Sequence, residues 1–151
     1  MINIKTLTIA VALLLPAPLL AAAQDRFVAK VKLPTGQTAV VAEGDFEARS
    51  LGSFSVRLYE AAPAPDETTF FIAGLIRPRD GVIEKTLLAD IDGDRQPELI
   101  VVVRSAGTGG YLSAHAFAFA KDHLLFRAQA EDLAADADPV PALRQAADKR
   151  S

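Results

Sequence analysis

Two stretches of this chain carry residues at spacings that suit chemistry. The first is Ser105-Ala-Gly-Thr-Gly-Gly-Tyr111, with three glycines, two hydroxyl side chains besides the tyrosine and one aromatic in seven residues. Hydroxyls both donate and accept hydrogen bonds, and glycine lets a backbone come close to another surface. Such a loop can enter a cleft and bond to what lies there; on composition alone, a plain Gly-rich connection fits slightly better. The second stretch is Asp90-Ile-Asp-Gly-Asp-Arg-Gln-Pro-Glu98, whose carboxylates fall at positions 1, 3, 5 and 9. Calcium takes six to eight oxygens, and closely spaced carboxylates in a turn supply them. An EF-hand is excluded, because Arg95 stands where that loop needs Gly and Val101 where it needs Glu. It is similar to the calcium loops between strands of integrin-type propellers, again with Arg95 in place of Gly and in one copy only. We read Asp90, Asp92, Asp94 and Glu98 as an acidic hairpin turn built on Asp92-Gly93, with no required metal.

Enzymatic readings find little support. The only histidines are His115 and His123, and no Gly-x-Ser-x-Gly elbow is present. The acidic cluster is too tight for the carboxylate pair of a glycosidase. Gly107-x-Gly109-Gly110 is no dinucleotide fingerprint, because a strand and not a helix follows it. No catalytic residue and no cofactor are assigned.

The elements that position these stretches read as strands. Phe27, Ala29, Val31 and Leu33 alternate with Val28, Lys30 and Lys32, and Pro34-Thr35-Gly36 turns the chain. Thr38 to Glu43 is a second run, with a turn at Glu43-Gly44-Asp45. Phe54, Val56 and Leu58 alternate with Ser55, Arg57 and Tyr59, the pattern of a half-buried strand. Ala61 to Asp66 is a loop. Phe70 to Ile76 is a strand broken at Pro78, and Arg79-Asp80-Gly81 turns. Val82 to Ala89 follows. Leu99 to Val103 is apolar on both faces, as a central strand should be. Tyr111 to Ala120 and Leu124 to Gln129 complete about eight strands. The fold expected is an all-β, antiparallel two-sheet sandwich, with an Ala-rich tail over 131–151 that is partly helical between Pro141 and Lys149.

The strand after the glycines has one face of Tyr111, Ser113, His115, Phe117 and Phe119. It is polar near the loop and apolar beyond, so Tyr111, Ser113 and His115 are expected at the loop end, with Phe117 and Phe119 as anchors. Arg104 stands at the other base of the loop.

Lys5, the apolar run Leu7–Leu20 and Ala21-Ala22-Ala23 have the form of a secretory signal peptide. Residues 1–23 are read as cleaved and 24–151 as a single exported domain with no membrane association. Lys5 is the only charge removed, so of 16 basic and 19 acidic residues, 15 and 19 remain, a net of −4. That acidity argues against nucleic acid and suits a basic protein partner. The absence of cysteine excludes thiol catalysis and cysteine-based zinc sites, and an exported chain without disulfides is ordinary in a bacterial periplasm.

The run Val41 to Tyr59, the run from Arg104 through Tyr111 to Ala114, and Pro97-Glu98 before the central strand resemble, in order, the periplasmic inhibitors of invertebrate-type lysozyme. The resemblance covers roughly Phe27 to Phe126. The family's Ser-Gly-x-Tyr motif falls on Thr108-Gly109-Gly110-Tyr111, with Thr in place of Ser. The resemblance implies a double-sheet β fold, often a homodimer, that binds lysozyme without cofactor or covalent bond and serves bacterial defence against host lysozyme. It implies lysozyme contacts at Thr108, Gly109, Gly110 and Tyr111. Around them the residue chemistry adds Ser105, Gly107, Ser113, Arg104 and His115, the last two as candidates to face a catalytic carboxylate. The alternative is a calcium-dependent exported adhesion module that uses Asp90–Glu98.

Overall fold

The computed structural model describes residues 25–149; the expected signal peptide lies outside them. Among the described residues there are two four-stranded antiparallel sheets and one helix. The first sheet holds β1 (Val28–Lys32), β2 (Thr38–Glu43), β3 (Leu51–Tyr59) and β4 (Phe71–Asp80) in sequence order. The second holds β5 (Val82–Ala89), β6 (Glu98–Arg104), β7 (Leu112–Phe119) and β8 (Leu124–Leu133), also in order. The helix, α1, spans Pro139–Asp148. The all-β sandwich expected from the strand spacing is the observed architecture.

The alternating side chains Phe54, Val56 and Leu58 are all fully buried, facing Leu99, Val101, Val103 and Phe117 of the second sheet in the main core. A second core lies on the opposite face of the second sheet. There Ile100, Val102, Leu112, Ala114, Ala116 and Ala128 pack with Leu143 and Ala147 of α1. This explains why β6 lacks alternation: one of its faces meets the first sheet and the other meets the helix. Asp138 caps the helix, its Oδ1 accepting from the Val140 amide at 3.0 Å, and Pro139 opens it where a missing N–H costs nothing.

Three local expectations are corrected. Pro78 does not break β4, which runs on to Asp80. β4 is the edge strand, so a residue without an N–H can sit there without losing a ladder bond. Arg79 and Asp80 therefore belong to the strand, and only Gly81 separates it from β5. Gly81 has φ +114°, and a Cβ there would sit 1.9 Å from the Arg104 carbonyl oxygen. Glycine is required where the chain crosses between sheets against the backbone at the start of the 105–111 loop. Finally, β8 continues four residues past Gln129 to Leu133, and the helix starts at Pro139, not Pro141.

Candidate functional site

The two candidate stretches lie at opposite ends of β6, about 20 Å apart by strand rise. At one end, Asp90, Asp92 and Glu98 bring carboxylate oxygens within 4.8 Å of one another, and Asp94 is not part of that group. These carboxylates hold the turn. Asp90 accepts from the amides of Gly93 (2.7 Å) and Arg95 (3.0 Å), Asp92 from Asp94 (3.2 Å) and Asp94 from Gln96 (2.7 Å). Buried Glu98 accepts from Ile91 at 2.9 Å. Its burial, reinforced by the charges of Asp92 and Asp94, pushes its pKa up. Arg127, and not the neighbouring Arg95, pairs with Asp92, at 2.9 Å. Arg95 instead takes φ +71° at the place where a calcium loop has Gly. Chelator is therefore expected to leave the melting temperature unchanged. A clear rise in Tm with added calcium would overturn this, since a ligand of the folded state alone must stabilise it.

At the other end, Ser105 to Tyr111 closes the β6–β7 hairpin. The Ser105 amide donates to the Tyr111 carbonyl (2.8 Å) and the Gly110 amide to the Gly107 carbonyl (3.3 Å). The Ser105 hydroxyl accepts from the Gly107 amide at 3.2 Å. Gly110 takes φ +58°. Ala106 to Gly109 are exposed, and the amides of Thr108 and Gly109 have no protein partner among the described residues. Tyr111 is half exposed, and its ring lies on Gly109, where a Cβ would fall 2.2 Å from ring atom Cε2. A side chain at 109 would thus have to push the tyrosine ring aside, whereas Gly110 is favoured by its φ.

Arg104 does not present a free charge. Its guanidinium donates to the carbonyls of Gly110 (2.8 Å) and Ala135 (3.1 Å) and pairs with Glu84. It fixes the base of the loop from three directions. His115 is not at the surface either. It is 3 % exposed, with Phe54 edge-on at 5.2 Å between ring centroids and Phe126 at 6.3 Å. Burial, together with the charge of Arg77, lowers its pKa from 6.5 to about 4. Both residues were expected to face a partner's carboxylate; instead, one braces and the other lies beneath. Ser113 remains partly exposed beside Tyr111.

His115 therefore carries a pH signature. Its folded pKa is below its unfolded value, so its stabilisation is fully present above pH 6.5 and is lost as pH falls toward 4. The loss amounts to about 3 kcal/mol by linkage. Denaturant unfolding between pH 7.5 and 4 should show this slope, and His115→Leu should flatten it. Parallel curves for parent and variant would contradict the assignment.

Two buried residues escaped sequence reasoning. Arg79, 2 % exposed, donates to the carbonyls of Ser53 (3.0 Å), Arg49 (2.8 Å), Ala48 (3.1 Å) and Gly81. Glu43, 4 % exposed, accepts from the Ile83 amide at 2.7 Å and so ties the two sheets beside the crossover. Inside a Pro-Arg-Asp-Gly run that reads as a turn, nothing local marks Arg79 as interior.

The model of the family "periplasmic lysozyme inhibitor of I-type lysozyme", PliI, matches residues 25–147. The chain belongs to the PliI family. The crystal structure of PliI from Aeromonas hydrophila is 46 % identical, with a TM-score of 0.73 over 78 % of this chain and 98 % of that one. The same A. hydrophila inhibitor in complex with Meretrix lusoria lysozyme gives a TM-score of 0.72 at 46 % identity, over 78 % and 95 % of the two chains. No curated protein matches. PliI proteins are periplasmic inhibitors of lysozyme, binding proteins and not enzymes.

Proposed function

We propose that this PliI chain inhibits invertebrate-type lysozyme by placing the Ser105–Tyr111 loop in the lysozyme cleft. The observation that carries the reading is the loop's construction: a braced base under an exposed tip, with Tyr111 seated on Gly109 and two amides left unbonded. A lysozyme cleft holds a catalytic acid and a second carboxylate. The Thr108 hydroxyl and the amides of Thr108 and Gly109 match such carboxylates as donors, at about 1.5–3 kcal/mol for each charge-assisted bond. Tyr111 supplies aromatic contact area, with Ser105, Gly107, Gly110 and Ser113 around it. Arg104 acts by positioning the loop. The complex formed by the A. hydrophila relative supports the partner class.

The test is an inhibition assay of the mature protein against invertebrate-, chicken- and goose-type lysozymes. Inhibition of the invertebrate type is expected, and its absence would overturn the reading. We also propose export with cleavage after Ala23, so that mass spectrometry of periplasmic protein gives Gln24 as the first residue; Met1 retained in a membrane fraction would refute it.

A further inference from the structure

A groove of about 380 Å³ opens beside the loop, between the end of β4 and the β7–β8 pair. Ser105 and Tyr111 form one wall, so the groove is continuous with the proposed inhibitory surface. Asp80, Glu131 and Asp132 bring three carboxylates to it, and His115 contributes to its floor. The acidic side is built by a bulge. Leu112 pairs with Leu133 and Ala114 with Ala130, so Glu131 and Asp132 together oppose Ser113. Asp132 takes φ +55° there. Bulges of this kind re-aim side chains next to binding sites.

Of the groove's carboxylates, Glu131 accepts from Gln129 Nε2, while Asp80 and Asp132 have no side-chain partner among the described residues. Arg79 lines it, but its guanidinium already serves the carbonyls of Ala48, Arg49, Ser53 and Gly81. Three carboxylates against one cation leave an excess of two negative charges. Nearby Arg77 is tied elsewhere, donating to Gln129 Oε1 at 3.0 Å and lying 3.8 Å over the Phe126 ring. The Nδ1 of His115 is buried with no hydrogen-bond partner among the described residues. Burial keeps the ring neutral near pH 7, and in its Nε2–H tautomer this nitrogen is an acceptor.

We propose that this groove receives a lysine or arginine side chain of the lysozyme whose cleft the loop enters. The proposal rests on the inhibitory reading above. A stable protein interface covers about 800 Å² per partner, more than a seven-residue loop presents, so the surface next to Tyr111 falls within the footprint. Within it, an acidic concavity with an unpaired buried acceptor selects a long cationic side chain. Its contribution is to affinity and association rate, separate from the bonds made by the loop tip.

The test compares the parent, Glu131→Gln/Asp132→Asn and Tyr111→Ala for binding to invertebrate-type lysozyme at low and high salt. Asn tolerates the left-handed backbone of position 132, so the double variant keeps the bulge. It should bind about tenfold more weakly at low salt, and the gap should narrow at high salt, with an unchanged thermal melt. Ser113→Lys, which gives the groove its own cation, should weaken binding similarly. If the double variant binds like the parent at low salt while Tyr111→Ala is weakened, the groove holds only water and this proposal falls, though the loop reading stands. If the parent itself does not bind, both fall.

Discussion

Tyr111→Ala is expected to weaken lysozyme binding about thirtyfold, about 2 kcal/mol, while thermal unfolding stays where it was. The ring is half exposed and touches the loop rather than either core, so its loss removes contact area without opening a cavity. Gly109→Val should be at least as damaging, for a reason that only the geometry supplies. The added Cβ would overlap the Tyr111 ring, so the substitution displaces the aromatic as well as thickening the tip. Thr108→Ala should cost less unless its hydroxyl meets a buried carboxylate, and Thr108→Ser should be neutral or better. Dissociation constants against an invertebrate-type lysozyme, with melts as folding controls, decide the matter. Parent-like binding by folded Tyr111→Ala and Gly109→Val would show that another surface inhibits.

The second large effect is on stability. Arg79→Met should destabilise the domain by about 4 kcal/mol, a large share of the 5–15 kcal/mol typical of a domain. The carbonyls of Ala48, Arg49 and Gly81 lose the guanidinium as donor, and that of Ser53 keeps only the Gly44 amide, around a side chain that is itself fully buried. These carbonyls belong to the loop before β3, to β3 itself and to the crossover between sheets, so the guanidinium joins three segments beside the bonds from Ser53 to Glu47 and from the Gly81 amide to Ser50. Arg79→Lys should recover little, because one ammonium cannot point donors in all the directions that a planar fork does. Arg57→Met, on an exposed arginine of β3, serves as the control and should change stability by less than about 0.5 kcal/mol. Urea unfolding of the three variants measures this directly. A loss below about 1 kcal/mol for Arg79→Met would mean that the segments are held by other contacts.

Much of the fold was legible because its signals are local. Alternation at Phe54, Val56 and Leu58 assigns a face whatever the partner, and these residues are indeed in the core. Glycines between a β-branched run and an alternating aromatic one mark a hairpin without reference to the rest of the chain, and the 105–111 loop closes one. The unbroken apolar run of Leu99–Val103 announced burial on both faces, although the tail helix that covers one of them was legible only in part.

What the tertiary structure decided is the status of single polar residues. Pro78 ends a strand by propensity, yet it sits within one because β4 is an edge. Arg104 and His115 stand beside the loop in sequence and look alike as candidates to meet a carboxylate. Folding places Glu84 and the Ala135 carbonyl around Arg104, and Phe54 and Phe126 around His115, partners 11 to 61 positions away in the chain. Arg79 is interior only because three segments converge on it. Spacing along a strand encodes which face a side chain takes. It does not encode what another sheet or loop brings against that face, and for a charged or titratable group that neighbour decides between a contact offered to a partner and a brace within the fold.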